Sequence, residues 1–123
     1  MATLQKLINE KILVIDGAMG TQIQALKITP EQWDGKEGCN ELLNVTAREE
    51  ISKIHKGYLL AGADIIKTNT FGALPWVLDD YDMGERTYEL AKAGAEIVKE
   101  ACLEYATEQK PRFCAAAFGP GTK

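Results

Sequence analysis

An acid followed by glycines, directly after a run of branched apolar residues, is the first place in this sequence where chemistry could be staged. Ile12-Leu13-Val14-Ile15 leads into Asp16-Gly17-Ala18-Met19-Gly20-Thr21. Four such apolar residues suit a strand covered on both faces and are too few for a buried helix. Asp16 then falls at the carboxyl end of that strand, where α/β sheets place their ligands. Gly17 and Gly20 let a ligand approach the backbone where a side chain would block it. The competing reading is a tight strand-to-loop turn in which the aspartate caps its own backbone.

Three other residue types invite a chemical reading. Lys67 lies inside the apolar segment Ala63-Asp64-Ile65-Ile66-Lys67-Thr68. A buried amine would serve Schiff-base chemistry, but an outward lysine with its stem along a neighbouring helix accounts for the same letter more simply. His55, the single histidine, falls on the packed face of a helix and reads as a satisfied core or helix-surface residue rather than a titrating switch. Cys39, Cys102 and Cys114 are odd in number, far apart and without a C-x-x-C pair. That excludes a disulfide framework and a self-contained zinc site. Cys102 and Cys114 read as small buried hydrophobes. Cys39, in a Gly-rich loop, is the reactive candidate.

The elements that must position these residues alternate. Leu4, Leu7 and Ile8 give one apolar face to a helix over Thr3–Glu10, predicted to plug the bottom of the first strand's layer. A short periodic piece over Thr21–Leu26 follows the first strand, and Lys27–Cys39, with Pro30, Trp33, Gly35 and Gly38, reads as a loop. Thr46 and Glu49 spell a T-x-x-E capping box, and Ile51, Ile54, His55, Tyr58 and Leu59 give the helical stripe behind it. Gly62 closes that helix as a left-handed cap. The second strand, Ala63–Thr68, stops at Asn69-Thr70-Phe71-Gly72. Asp79, Asp80, Asp82 and Glu85 crowd the start of a third helix, Glu85–Thr107, where carboxylates favour the positive end of the dipole. Its stripe is Leu90, Ala93, Gly94, Ile97, Val98, Ala101 and Tyr105. A third strand, Phe113–Phe118, runs into Gly119-Pro120-Gly121-Thr122-Lys123. Such alternation implies parallel strands with right-handed crossovers. It carries neither the G-x-G-x-x-G fingerprint nor the G-K-[ST] order of a phosphate loop.

The bulk numbers exclude several partner classes. A chain of 123 residues is one small domain at most, and its 46% hydrophobic and 26% charged content is that of a globular protein. A net charge of −4 without a basic run argues against nucleic acid and anionic membranes. No apolar window approaches the roughly 18 residues of a membrane span. The first residues carry no signal-peptide core, which makes the cytoplasm the expected location.

Four stretches in order resemble the homocysteine S-methyltransferase family. They are Ile15-Asp16-Gly17-Ala18-Met19-Gly20-Thr21, Cys39-Asn40-Glu41-Leu42-Leu43-Asn44, Ala61-Gly62-Ala63-Asp64-Ile65-Ile66 and Thr68-Asn69-Thr70-Phe71-Gly72. The pattern is nearest to the N-terminal homocysteine-binding domain of the family's cobalamin-dependent methionine synthase branch. The resemblance implies a (β/α)8 barrel, of which residues 1–123 would be an incomplete N-terminal part with about three β/α units. It implies that Asp16 and Gly17 hold the amino-acid end of homocysteine, and that Asn69, Thr70 and Gly119 line the barrel mouth. It further implies zinc, which keeps the homocysteine sulfur as a thiolate, and a methyl group carried by methylcobalamin, with folate and cobalamin domains as partners. The family's zinc cysteines, in a Gly-Gly-Cys-Cys-Gly motif plus one more, would lie beyond Lys123. None of Cys39, Cys102 and Cys114 matches them, so no metal ligand and no catalytic residue is assigned here, and these 123 residues alone are expected to be inactive. Arg48, where relatives often carry proline, and Gly121, which interrupts a commoner Gly-Pro-Thr, are local departures. Betaine or S-methylmethionine as donor, an autonomous small α/β module that binds an amino acid or anion without catalysis, and a Lys67 Schiff-base lyase are the competing readings.

Overall fold

The computed structural model describes residues 3–121; Thr122 and Lys123, at the end of the third glycine loop, lie outside the described residues. The helices, in chain order, are α1 (Leu4–Glu10), α2 (Gly20–Ala25), α3 (Pro30–Trp33), α4 (Leu43–Thr46), α5 (Arg48–Leu60), α6 (Pro75–Leu78) and α7 (Thr87–Tyr105). Two strands, β1 (Ile65–Lys67) and β2 (Phe113–Ala115), pair in parallel with Ile66 opposite Cys114. This is the α/β alternation expected, and each new extended segment pairs with the one before it.

The first apolar run joins by one parallel bridge only, Ile15 to Ile65, supported by the Val14 carbonyl accepting from the Asp64 and Ile65 amides. It is not the doubly covered strand that its composition predicts. Ile12 is 91% exposed and Val14 56% exposed, because this segment has a neighbour on its β1 side alone. The link is reinforced by a side chain. The Asp64 carboxylate accepts from the Val14 N–H at 2.9 Å and from Lys110 Nζ at 3.1 Å. Burial pushes that carboxyl up, but these two donors bring it below its usual value.

The long helices α5 and α7 pack side by side, and their stripes form the core. Ile51 and Ile54 of α5 meet Ile97 of α7, with Ile23 of α2 and Leu43 of α4. Leu59, Val98, Ala101 and Cys102 close over Ile66 of β1. A third cluster joins Cys39, Leu42, Leu78, Met83 and Leu90. Each fully buried Leu or Ile contributes about 1.5–3 kcal/mol of transfer free energy. The cap of α5 is as predicted: Gly62 has φ +111°, its N–H reaches the Leu59 carbonyl, and the Ala63 N–H reaches that of Tyr58. Arg112 Nη1 donates to the carbonyls of Leu59 and Ala63, so the end of α5 is tied to the segment that enters β2.

Several local expectations are corrected. Thr46 does not cap α5. It ends α4, and its hydroxyl donates back to the Leu42 carbonyl, so α5 starts at Arg48 without a side-chain cap. The capping box sits in the stretch read as a loop: Thr29 Oγ1 accepts from the Gln32 amide while Gln32 Oε1 accepts from the Thr29 amide, with Pro30 in the first turn of α3. α1 forms where expected, capped by Thr3, but none of its residues is buried, so it plugs nothing among the described residues. Of the acids ahead of α7, Asp79, Asp80 and Glu85 lie in short 3-10 turns, and Asp82 takes a left-handed conformation between them.

A cleft at the carboxyl ends of the strands

The parallel arrangement places the ends of all three extended segments on one side, and a cavity of about 530 Å³ opens there. Residues 16–20, Asn40, Glu41, residues 67–71 and Ala117 line it. Four of the five residues singled out in the sequence, Asp16, Gly17, Asn69 and Thr70, are thereby brought together. Gly119 is not in the lining. Its N–H donates to the Phe71 carbonyl at 2.8 Å and its backbone lies against the Phe71 ring, so it places a residue that does line the cleft.

Asp16 follows the Ile15 bridge directly, and its N–H donates to the Ile65 carbonyl at 2.9 Å. Its side chain is 2% exposed, and Oδ1 takes two donors from one residue, the Lys67 backbone N–H at 3.2 Å and Lys67 Nζ at 2.6 Å. Lys67 Nζ also donates to the Asp16 carbonyl at 3.2 Å and the Gly17 carbonyl at 3.3 Å. The outward lysine expected from the sequence is thus corrected. Ile66 is buried toward the helices, and the two-residue period of a strand turns Lys67 to the opposite side, into the cleft. An ammonium with all three N–H groups engaged presents no free amine to a carbonyl, which is the requirement of a Schiff base.

The loop after Asp16 is held from outside the cleft by Tyr58 of α5, whose hydroxyl donates to the Ala18 carbonyl at 2.6 Å. Among the described residues, the N–H groups of Gly17, Ala18 and Met19 have no protein acceptor. The opposite wall is built from a polar lattice. Asn69 Nδ2 donates to the Asn40 carbonyl at 2.9 Å and to Asn44 Oδ1 at 3.0 Å; Asn44 Nδ2 donates to the carbonyls of Asn69 and Leu90. Thr70 donates to the Ala117 carbonyl at 2.5 Å, so Thr68 donates to Thr70 at 2.6 Å, and Thr68 Oγ1 accepts from the Ala117 amide. The donors of Asn69 and Thr70 are therefore engaged in shaping the wall. Gly94 of α7 permits this, since a Cβ there would lie 2.6 Å from Thr70 Cγ2 and 2.8 Å from Asn44 Nδ2.

Glu41 is a lining residue that residue-level reasoning passed over. Its carboxylate accepts from the Gly72 N–H at 3.0 Å, which ties the loop after β1 to the turn before α4. The signal was its place as the acid in Asn40-Glu41-Leu42-Leu43-Asn44. His55 is buried as expected, but it is not satisfied: neither ring nitrogen has a partner among the described residues. Burial lowers it to about 4, with Asp16 pulling up and Lys67 pushing down.

The cysteines divide differently from expectation. Cys39 is fully buried, and burial pushes its thiol up, so the reactive candidate is inert core. Cys102 is buried on α7 as predicted and pushed up to about 11 by burial. Cys114, expected to be buried in its strand, is exposed. Among the described residues no three His, Cys, Asp or Glu side chains come together as a metal site, and no helix is long and apolar enough to cross a membrane.

Comparison with known proteins bears on this geometry. The sequence profile of the homocysteine S-methyltransferase family matches residues 13–123. The methionine synthase of Mycobacterium tuberculosis is 40% identical over 120 residues, 98% of this chain and 10% of that protein. That of Mycobacterium leprae is 40% identical over 114 residues, 93% of this chain and 10% of the relative. The chain thus spans about a tenth of the length of these curated relatives. Among solved structures, the metallated form of the homocysteine methyltransferase MmuM from Escherichia coli superposes with a TM-score of 0.74 at 22% identity, over 95% of this chain and 41% of that one. At that identity the likeness is one of fold, and the two parallel strands and their helices match part of it. On the profile and the mycobacterial relatives together, the chain belongs to the homocysteine S-methyltransferase family.

Proposed function

We propose that residues 1–123 are the N-terminal part of a homocysteine-binding (β/α)8 barrel domain, and that the cleft is one wall of its homocysteine site. The observation that carries this reading is the pairing, at the ends of parallel strands, of a buried carboxylate at Asp16 with the amides of residues 17–19, which have no protein acceptor among the described residues. A carboxylate and a row of N–H groups are the two halves that an α-amino acid requires: one accepts from its ammonium, the other donates to its carboxylate. Gly17 contributes backbone, and Asn69, Thr70 and Gly119 shape the wall rather than grip the ligand.

In this reading the whole protein transfers a methyl group to the homocysteine thiolate and makes methionine in the cytoplasm. Zinc and cobalamin are its cofactors, 5-methyltetrahydrofolate its methyl source, and the rest of the barrel with folate and cobalamin domains its partners; betaine or S-methylmethionine is the alternative donor. The cysteines described here do not fit a zinc site, since Cys39 and Cys102 are buried in separate clusters and Cys114 is exposed on β2. Calorimetric titration of the protein with L-homocysteine tests the site. Asp16→Asn is expected to weaken binding about tenfold or more, the value of a charge-assisted hydrogen bond. Equal binding by both proteins overturns the assignment.

A further inference from the structure

The contact between Lys67 and Asp16 has a chemistry of its own, and it deepens the reading just given, on which it rests. A ligand α-ammonium would bring three N–H donors and one positive charge to Asp16. Lys67 Nζ already supplies both. Its three donors meet Asp16 Oδ1 at 2.6 Å, the Asp16 carbonyl at 3.2 Å and the Gly17 carbonyl at 3.3 Å, which fills the capacity of an ammonium. We propose that Lys67 is an internal stand-in for the substrate ammonium, so that homocysteine reaches Asp16 only by displacing it, and that Lys67 thereby sets the affinity of the site for amino acids.

Three features favour displacement over a shared site. Lys67 occupies Oδ1, and a second ammonium on the same carboxylate would repel it at close range in a partly dehydrated cleft. The side chains are unequally placed: Asp16 is 2% exposed and Lys67 37%, so the lysine has water to swing into while the acid stays. The Lys67 backbone N–H donates to the same Oδ1 at 3.2 Å, so the carboxylate keeps its aim after the side chain leaves. The opposite role, a grip on the ligand carboxylate, would need a free donor on Nζ, and its three are engaged. Apparent affinity falls by the fraction of molecules whose site is open. If Asp16 is open in about one molecule in ten, removal of the lysine charge tightens binding about tenfold.

The test uses two probes, L-homocysteine and 4-sulfanylbutanoate, which keeps the thiol and carboxylate and lacks the amine. Both are titrated calorimetrically into the wild-type protein, Lys67→Met and Lys67→Gln; the glutamine keeps a donor beside Asp16 should the methionine variant fail to fold. The expected result is about tenfold tighter homocysteine in the variants with 4-sulfanylbutanoate unchanged. In the wild type, the hydrogen-bonded ammonium signal of Lys67 in a lysine-selective nitrogen-15 spectrum is expected to vanish on addition of homocysteine and to persist with the desamino probe. Weaker binding of both probes in the variants overturns the proposal, because it makes Lys67 the carboxylate grip. Unchanged homocysteine affinity, with Asp16→Asn still weakening it, overturns the proposal and leaves the site reading intact. No homocysteine binding by the wild type or either variant removes both.

Discussion

Gly94→Ala isolates the close approach of α7 to the wall of the cleft. In an exposed helix position the change would stabilise by about 1 kcal/mol, because alanine loses less backbone entropy than glycine. At Gly94 the new methyl lies 2.6 Å from Thr70 Cγ2 and 2.8 Å from Asn44 Nδ2. Neither neighbour can yield at low cost. Asn44 is fully buried and donates to the carbonyls of Asn69 and Leu90, and Thr70 is fixed between Thr68 and Ala117. Overpacking a rigid site costs about 1–3 kcal/mol, and a buried hydrogen bond lost in the adjustment costs about 1–3 kcal/mol more. Set against the propensity gain, the net loss is about 3 kcal/mol.

Gly57→Ala is the internal control. Gly57 lies within α5, and a Cβ there meets nothing within 4 Å, so only the propensity gain remains. Urea unfolding followed by circular dichroism should move the midpoint down for Gly94→Ala and up for Gly57→Ala, with unchanged slopes. If Gly94→Ala is as stable as Gly57→Ala, the wall is softer than its hydrogen bonds imply and the argument from close approach fails.

Acid should destabilise the protein through His55. Its folded value of about 4 lies below the ordinary 6.5, so between those values the unfolded chain binds the proton and the folded one does not. Stability is then full above about 6.5 and falls as the pH drops toward 4, by up to roughly 3 kcal/mol, or about 1.4 kcal/mol per pH unit. The charges of Asp16 and Lys67 act on the ring with opposite effects; His55→Phe should flatten the slope in that window, and an unaltered slope refutes the assignment. Asp64→Ala strips the Val14 N–H of its acceptor at 2.9 Å, for a loss of about 1–3 kcal/mol. Faster amide exchange at Val14 is the direct readout, and an unchanged rate would falsify the anchoring role. Native-state alkylation read by mass spectrometry should modify Cys114 and spare Cys39 and Cys102 until denaturant is added; early modification of Cys39 would restore the sequence-based reading of it as the reactive thiol.

The elements that the sequence made legible are those whose evidence is periodic over many residues. The stripe of α5 recurs over about two turns and that of α7 over about four, and every stripe residue named on them except Tyr58 and Tyr105 is buried. The parallel order followed from alternation alone. The short signals were less secure. T-x-x-E at Thr46 and T-x-x-Q at Thr29 look alike as letters, and the second became the cap because Pro30 starts a helix there while residues 43–46 form a turn of their own. The first apolar run was read correctly as extended, but its burial was not legible, because covering two faces depends on neighbours that lie elsewhere in the chain.

The same distinction explains the site. The place of Asp16 in the cleft lining was legible because the apolar run stops at it. The engagement of Asn69 and Thr70 was not, since their acceptors are backbone carbonyls at Asn40 and Ala117, far off in sequence. Lys67 was misplaced for a different reason: Ile65 and Ile66 are both apolar, so the letters hide which face of β1 is covered, and one residue of parity decides whether the lysine meets water or Asp16. That parity has a functional consequence. The lattice around Asn44, Asn69 and Thr70 is closed on itself and gives the cleft a fixed wall, whereas the Asp16–Lys67 pair joins a buried acid to a lysine with a third of its side chain in water. On the displacement proposal, a ligand that enters the cleft meets one adjustable contact in a rigid frame, and its affinity is set at that contact.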